Sequence, residues 1–332
     1  MGKVLSKGSF FVFFCLHSIF VLSQEIKTQE IWKGKNHAAF TSLVYHDGYF
    51  YCAFREAKSH VNRKGNDNGI IVVIRSKQGK YWKVFLSYAI EGIDLRDPNM
   101  SITPRGDIML LAGGVKFENG RSVSIQSYVS FFTQKGIKMN LHPILFDFEI
   151  GNHWLWKVKW KDDIAYGFSY ISPFCLLKSK DGIHYSLVKT FDIKERPTEA
   201  DICFRQDDSM IAIIRRNVNG LIGVASKKSK YKDWIWYDCG EKLGGPAMIS
   251  LSNDEIVVVS RSYSKPIKTS VFKVNRDSMC LDWLVDLYGK GGDCSYPGLV
   301  YKRGILYISY YYGVNENTSI YLSKLKCNYG GI

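Results

Sequence analysis

Short apolar runs separated by polar turns recur along the chain and predict β-strands. The clearest unit spans residues 199–216: a short apolar strand, the polar turn Gln206–Ser209, a second apolar strand and two arginines. Antiparallel strands joined by a tight turn start and finish at the same end. We therefore expect Glu199 to lie close to Arg215 and Arg216. The turn and second strand of this unit reappear at residues 46–56, 105–114, 161–170, 253–262 and 303–312.

The spacing of these six repeats predicts the fold. Their turns lie 46 to 59 residues apart along the chain. A period in this range, filled with strands and turns, is typical of a β-propeller, in which each blade is one small sheet. The chain is therefore predicted to be an all-β, six-bladed β-propeller. Residues 26–33 form a strand without a hairpin partner, and we expect it to pair with residues 318–325 and close the ring.

The first 23 residues have the pattern of a cleavable signal peptide. Lys3 and Lys7 precede an apolar run at residues 10–22, and Ser23 provides a small residue before Gln24. The run is shorter than the roughly 20 residues that a membrane-spanning helix needs. We expect a secreted or periplasmic protein in which residues 24–332 form one propeller domain. An uncleaved N-terminal anchor is the alternative.

Charge and cysteine content narrow the choice of partners. Lysine and arginine number 45 against 31 acidic residues, a formal charge of +14, which favours anionic partners. There is no long basic run and no nucleic-acid motif, so nucleic acid is not an expected partner. After the signal peptide seven cysteines remain, an odd number without CxxC spacing, which argues against a zinc site. A Cys280–Cys294 pair stays open, and no metal or organic cofactor is predicted.

Propeller geometry predicts a polar pocket at one mouth of the central channel. The first strand of each repeat starts there and the second strand ends there, so residues distant in sequence converge. Of the two consecutive arginines after the fourth repeat, strand alternation turns only one inward, and the sequence leaves open which. Several arginines, carboxylates and a tyrosine meet at this mouth and suit an anionic ligand: Arg55, Arg96, Asp97, Glu199, Arg215, Arg216, Arg261 and Tyr296.

Several motifs resemble those of a known family. Residues 179–185 read SxDGxxY, and residues 76–82 form the same turn with glutamine in place of aspartate. In a six-bladed propeller, such turns resemble the Asp boxes, or BNR repeats, of sialidases. AFRE at residues 53–56 and LRDP at 95–98 are similar to sialidase first- and second-blade motifs. The order Glu199, Arg215/Arg216, Arg261, Tyr296 also follows the family, and the resemblance covers the whole mature chain.

The resemblance implies a glycoside hydrolase of the exo-α-sialidase type that cleaves a terminal acidic sugar. Sialidases use a tyrosine nucleophile, and a phenol of pKa ~10 needs an adjacent base. These roles would fall to Tyr296 and Glu199. Asp97 would shape the pocket, and Asp67 would protonate the leaving oxygen. Arginine binds a carboxylate through two hydrogen bonds, a role implied for Arg215 or Arg216 and for Arg261.

Two departures from the family pattern leave alternatives open. The first arginine of the carboxylate clamp is missing, with Ala39 near its position, and Arg55 or Arg96 could replace it. The proton donor could be His60 or Glu56 in place of Asp67. A non-catalytic glycan-binding propeller, or a glycosidase or polysaccharide lyase of other specificity, fits the same fold. A monomer is expected.

Overall fold

The structure, a computed structural model, describes residues 20–22, 26–34, 36–61 and 68–329, which form β-strands almost throughout. The first strands are β1 (Phe20–Leu22), β2 (Lys27–Trp32), β3 (His37–His46), β4 (Tyr49–Ala57), β5 (Ile70–Ser76), β6 (Lys83–Tyr88), β7 (Ile93–Ile102), β8 (Ile108–Glu118), β9 (Arg121–Thr133) and β10 (Gly136–Pro143). The middle repeats contain β11 (Leu145–Phe146), β12 (Trp154–Lys161), β13 (Ile164–Tyr170), β14 (Cys175–Ser179), β15 (His184–Thr190), β16 (Ala200–Phe204), β17 (Met210–Ile214), β18 (Leu221–Ala225) and β19 (Trp234–Asp238). The last repeats contain β20 (Leu243–Ser250), β21 (Ile256–Ser262), β22 (Lys268–Val274), β23 (Leu281–Lys290), β24 (Asp293–Lys302), β25 (Ile305–Val314) and β26 (Asn317–Tyr329). A 3₁₀ turn at Lys227–Ser229 is the one helical element in these ranges.

The strands form a propeller arrangement. In the part of the chain that the structure describes there are five hydrogen-bonded sheets, of which four are separate blades of four or five strands. The fifth has nine strands and joins the first and last repeats, because Thr318 of β26 forms a parallel bridge with His37 of β3. The all-β propeller prediction is confirmed, whereas the predicted six separate sheets are not found. The first strands, β3, β7, β12, β16, β20 and β24, contact one another in sequence, and the last contacts the first.

The ring closes with the N-terminal strand, as the sequence predicts. Strand β2 pairs antiparallel with β26, with Lys27 opposite Lys324 and Trp32 opposite Ile320, and so covers a sheet edge. Strand β1 pairs with the end of β26. The remainder of the predicted signal peptide, including its cleavage site at Ser23, lies outside the described residues, so export stays a prediction. No described helix is long and apolar enough to cross a membrane.

The core lies between neighbouring blades, which explains why the second strands are continuous apolar runs. Every residue of β17 is buried. Its Ile211 and Ile213 pack in one cluster with Val258 of the fifth repeat, and its other side chains pack with Phe168 of the third. Successive side chains of a strand point to opposite faces, so a strand between two blades must be apolar on both. The seven cysteines among the described residues are unpaired, which excludes a Cys280–Cys294 bond here.

Five of the six first strands carry a β-bulge at the same level of the channel, where two residues face one residue of the second strand. The bulged pairs are residues 40–41, 97–98, 156–157, 245–246 and 296–297. At four of these sites the first residue has positive φ: Phe40 (60°), Asp97 (46°), Gly245 (58°) and Tyr296 (50°). A non-glycine residue in this conformation costs about 1–3 kcal/mol, and such strain clusters at functional sites. The bulges re-aim side chains toward the channel.

Candidate active site

The bulges build a small cavity in the centre of the ring. All but one of its lining residues belong to a bulge, and they come from four different repeats. Its volume of about 10 Å³ is room for one water molecule, so the cavity marks the centre of the site and does not itself enclose a sugar. Its lining residues are Phe40, Thr41, Asp97, Pro98, Asn99, Trp156, Lys157 and Tyr296.

Tyr296, which lines this cavity, contacts Glu199, although the two residues belong to different repeats. The Tyr296 hydroxyl donates to Glu199 Oε1 at 2.7 Å, and the Gly245 amide donates to Glu199 Oε2 at 2.8 Å. A Cβ atom at position 245 would lie 2.5 Å from the Tyr296 ring, so only glycine fits beside it. Burial and the Glu199 carboxylate raise the pKa of Tyr296 well above its ordinary value of 10.0. The phenol is therefore protonated near neutral pH and has an acceptor for its proton.

The structure shows which of the two consecutive arginines faces the cavity. Arg215 Nη1 donates to both Glu199 oxygens, at 2.7 and 2.8 Å, and to the Tyr296 hydroxyl at 3.1 Å. Arg216 points to the other side of the strand, where it donates to the Asn219 carbonyl and to Asp238. Arg215 thus holds the Tyr296–Glu199 pair in place, and Arg216 has no part in the cavity.

Arg261 also lies beside Tyr296, but its guanidinium group is already paired with a carboxylate of the protein. Its Nη2 donates to Asp293 Oδ1 at 2.7 Å and to the Tyr311 hydroxyl at 2.8 Å, and its Nε donates to the Cys294 carbonyl at 3.0 Å. The guanidinium carbon lies 5.4 Å from the centre of the Tyr296 ring. Arg261 is therefore beside the candidate nucleophile and is internally paired.

Two histidines bind the same aspartate. Asp293 Oδ2 lies 3.0 Å from His37 Nε2 and 2.7 Å from His60 Nδ1. Burial opposes the charge, but hydrogen bonds from His37 and His60 outweigh it and hold the pKa of Asp293 well below its ordinary range. These three residues are the one group among the described residues whose ligand atoms, all within 4.8 Å of one another, could hold a metal ion. The sequence places Asp293 at the mouth but gives no sign of this network.

Arg55 and Arg96, the two candidates for the missing clamp arginine, are both paired with Asp94. Arg55 is completely buried and donates from Nε and Nη2 to Asp94 Oδ1, at 3.0 and 2.7 Å. Arg96 donates to Asp94 Oδ2 at 3.3 Å and to the His60 carbonyl at 2.9 Å. Both guanidinium groups are thus bound to one buried carboxylate. Arg96 also lies 5.1 Å from the centre of the Phe40 ring, which lines the cavity, so substrate binding by these arginines stays a prediction.

Asp97 and Lys157 are the remaining titratable residues of the cavity. Burial raises the pKa of Asp97 from 3.8 to about 6, with a further contribution from Glu199, and its Oδ1 is buried without a hydrogen-bond partner. Lys157 Nζ donates to the Pro246 carbonyl at 3.0 Å, from one bulge to another, and burial lowers its pKa to about 8. The sequence did not single out Lys157. Strand β12 contains three lysines, at positions 157, 159 and 161, and nothing in the sequence marks Lys157 as the one in the cavity.

The candidates for the proton donor differ in where they lie relative to the cavity. Asp67 lies within residues 62–67, outside the described residues. The Glu56 carboxylate accepts from the Trp32 indole at 3.4 Å and lines an outer cleft with residues 30–33. His60 lies near the cavity, its ring centre 5.2 Å from that of Phe40. Of the described carboxylates, Asp97 shares the cavity with Tyr296 and has an unpaired oxygen, so it is the better-placed donor.

Replacing Asp97 with asparagine is expected to flatten the pH dependence of stability. The folded state raises the Asp97 pKa from 3.8 to about 6, so this carboxyl stabilises the protein below about pH 4, and that contribution is lost as the pH rises through 6. The melting temperature of the variant minus that of the parent should therefore be a few degrees larger above pH 6 than at pH 4. Melting temperatures measured between pH 4 and pH 8 test this. Asp192→Asn, at an exposed carboxylate, is the control, and equal pH slopes in Asp97→Asn and parent would contradict the prediction.

Comparison with known proteins identifies the fold. No protein-family model matches the chain, and no curated protein matches it in sequence. A protein of unknown function from Dyadobacter fermentans superposes with a TM-score of 0.79 at 20% identity, over 92% of this chain and 100% of that chain. Trypanosoma rangeli sialidase gives 0.67 at 10% identity, over 91% of this chain and 60% of the sialidase. A mutant α-L-arabinofuranosidase from Fusarium graminearum, in complex with an iminosugar inhibitor, gives 0.69 at 12% identity, over 90% and 97%.

The chain shares its propeller fold with these proteins. At these identities the likeness shows the fold alone, and the chain spans about 60% of the length of the trypanosome sialidases that it matches.

Proposed function

We propose that this chain is a glycoside hydrolase that removes a terminal sugar with Tyr296 as nucleophile and Glu199 as its base. The observation that carries the proposal is the 2.7 Å hydrogen bond from the Tyr296 hydroxyl to Glu199 Oε1. A nucleophile bonded to a base, with the base oriented by a third group, is the signature of covalent catalysis. Here the third group is Arg215, which donates to both Glu199 oxygens at 2.7 and 2.8 Å. The fold shared with two glycosidases supports a glycan substrate.

In this mechanism the phenol oxygen bonds to the anomeric carbon as its proton passes to Glu199 Oε1. The bond to the leaving oxygen breaks, and Asp97 gives that oxygen a proton. A pKa of about 6 keeps part of the Asp97 population protonated near neutrality, as a general acid requires. Water then attacks the glycosyl–tyrosine intermediate, with the Asp97 carboxylate as base and the Glu199 proton returning to the phenolate. Two displacements retain the anomeric configuration. Asp67, the donor that the sequence suggests, remains the competing assignment.

Arg215 serves the transfer electrostatically. Its Nη1 lies 3.1 Å from the Tyr296 oxygen, on which negative charge develops when the aryl glycoside breaks down. A fixed cation at that distance stabilises the charge without reorganising during the reaction. A nucleophile, its base and a charge-stabilising donor are therefore joined by hydrogen bonds at the Tyr296 hydroxyl.

A panel of glycosides with product analysis tests the proposal. The chain is incubated with aryl and natural α- and β-linked glycosides, and the configuration of the released sugar is followed by NMR. Release of a sugar with retained configuration is expected. Inverted product would exclude the covalent intermediate, and binding without release from any bound glycoside would favour the glycan-binding alternative. Ala39 supports that alternative. It is buried, lies opposite Arg55 in the pairing of β3 with β4, and adds no charge to the mouth.

The number of blades and export of the chain are also parts of this proposal. We propose that the nine-stranded sheet represents two blades that share one bridge, which gives six blades around the closed ring of first strands. The apolar N-terminal run likewise leads us to propose export, with a cleaved signal peptide. Both are consistent with an enzyme that acts on extracellular glycans.

A further inference from the structure

We infer that the sugar bound at this mouth is uncharged, and that Asp293 occupies the position on Arg261 that a sugar carboxylate would take. The inference rests on the proposed function in one respect, that a glycan binds beside Tyr296. It reverses the acidic specificity that the family resemblance implies.

Every arginine that the sequence offered for substrate binding has a carboxylate partner within the protein. A substrate carboxylate would have to displace one of these partners or share the arginine with it. The pairs are Arg55 and Arg96 with Asp94, Arg215 with Glu199, Arg216 with Asp238 and Arg261 with Asp293.

The pairing of Asp293 with Arg261 matters most for substrate charge. Of the two arginines beside Tyr296, Arg215 holds Glu199, so only Arg261 could bind a substrate carboxylate. Asp293 receives donors on both oxygens: Arg261 and Tyr311 on Oδ1, each at 2.7 Å, and His37 and His60 on Oδ2. A carboxylate offers about four lone-pair positions, and these four donors use them. The group is therefore fixed in place and cannot rotate away to release Arg261.

A second anion at this position would meet the charge of the first. Asp293 is ion-paired with Arg261 at 2.7 Å, so a carboxylate already lies where a second anion would bind. Like charges a few ångströms apart repel strongly where solvent is partly excluded. The two arginines at the cavity, Arg215 and Arg261, are balanced by Glu199 and Asp293.

The walls of the site suit a neutral ring. Phe40 and Trp156 line the cavity and pack edge-on against Tyr296, with ring centres 5.0 and 6.1 Å away. Tyr170 stacks on Trp154 with 13° between the ring planes and packs against the same cluster of buried residues as Tyr296. Aromatic walls with a few polar groups bind a sugar through its apolar faces and hydroxyls.

The test compares sugars that differ only in charge. Binding of matched pairs, such as galactose with galacturonic acid and glucose with glucuronic acid, together with sialic acid, is measured by calorimetry, and turnover by release from the corresponding glycosides. The neutral member of at least one pair should bind about tenfold or more tightly than its acid. An acid that binds as tightly as its neutral partner, or absence of binding by every neutral sugar tested, would overturn the inference.

Asp293→Asn provides the converse test. It preserves the shape of the side chain but removes the charge that occupies Arg261, so the acid member should gain about tenfold in affinity relative to the neutral one. Asp238→Asn removes the partner of Arg216 outside the site and should leave the ratio unchanged. An unchanged ratio in Asp293→Asn, with a folded protein by circular dichroism, would show that Asp293 does not occupy the carboxylate position.

The two proposals fail differently. A neutral sugar that binds but is never released from its glycoside would refute the hydrolase and leave the charge preference standing. Turnover of an acidic glycoside in preference to its neutral counterpart would refute the charge preference and leave the hydrolase standing.

Discussion

Replacing Tyr296 with phenylalanine is expected to lower turnover by several orders of magnitude while sugar binding survives. Phenylalanine keeps the ring, with its contacts to Phe40 and Trp156, and removes the oxygen that attacks the anomeric carbon. Loss of a group that acts only in the transition state lowers kcat, whereas KM changes little. Steady-state kinetics on whichever glycoside the parent hydrolyses, together with calorimetric binding of the free sugar, measures the two effects separately.

Tyr263→Phe is the matched control. Its hydroxyl accepts from Arg215 Nη2 at 3.3 Å but makes no bond to Glu199. Its loss should change kcat by less than about tenfold, the effect of removing one weak hydrogen bond. Glu199→Gln should slow turnover on its own, and combining it with Tyr296→Phe should add little, because residues that act as one unit are not additive. A Tyr296→Phe enzyme as fast as the parent would eliminate the nucleophile assignment.

The sequence predicted the propeller and the convergence of Glu199, Tyr296 and one of Arg215 and Arg216, because both follow from regular features. A hairpin fixes which strand ends meet, and the repeat period fixes how hairpins are arranged around a ring. Two sequence-distant residues, Tyr296 and Glu199, consequently lie 2.7 Å apart, O to O, as the repeat positions suggested.

The features that the sequence did not predict depend on local exceptions and on three-dimensional partners. The bulges shift pairing by one residue without altering the repeat pattern, so nothing in the apolar periodicity marks Phe40 or Lys157 as lining the cavity. A single bridge, Thr318 to His37, changes the number of sheets. The sequence likewise does not show which carboxylate pairs with a given arginine. Arg55 and Arg261 have similar neighbours in sequence, yet Arg55 binds Asp94 and Arg261 binds Asp293.

Replacing Asp94 with asparagine is expected to be among the most destabilising single changes in this protein. Asp94 and Arg55 have no exposed side-chain surface, and they are joined by two hydrogen bonds of 3.0 and 2.7 Å. Asp94 also accepts from the Gly69 amide at 2.8 Å. Removing one member of a buried ion pair leaves the other charge without compensation, which costs about 3–5 kcal/mol. Urea denaturation should show this loss, and the melting temperature should fall by on the order of 10 °C.

The surroundings of Arg55 explain why its side chain cannot move to reduce the loss of stability in Asp94→Asn. The chain passes so close at Gly69 that a Cβ there would lie 2.3 Å from Arg55 Nε, so the guanidinium is enclosed on that side and cannot swing into solvent. Asp238→Asn removes the partner of Arg216 at the surface and should change stability by less than about 1 kcal/mol. The double variant Arg55→Met with Asp94→Leu replaces both charges by apolar groups and should recover much of the loss, because the cost comes from the unpaired charge. If Asp94→Asn is as stable as Asp238→Asn, then Arg55 is not held by this pair.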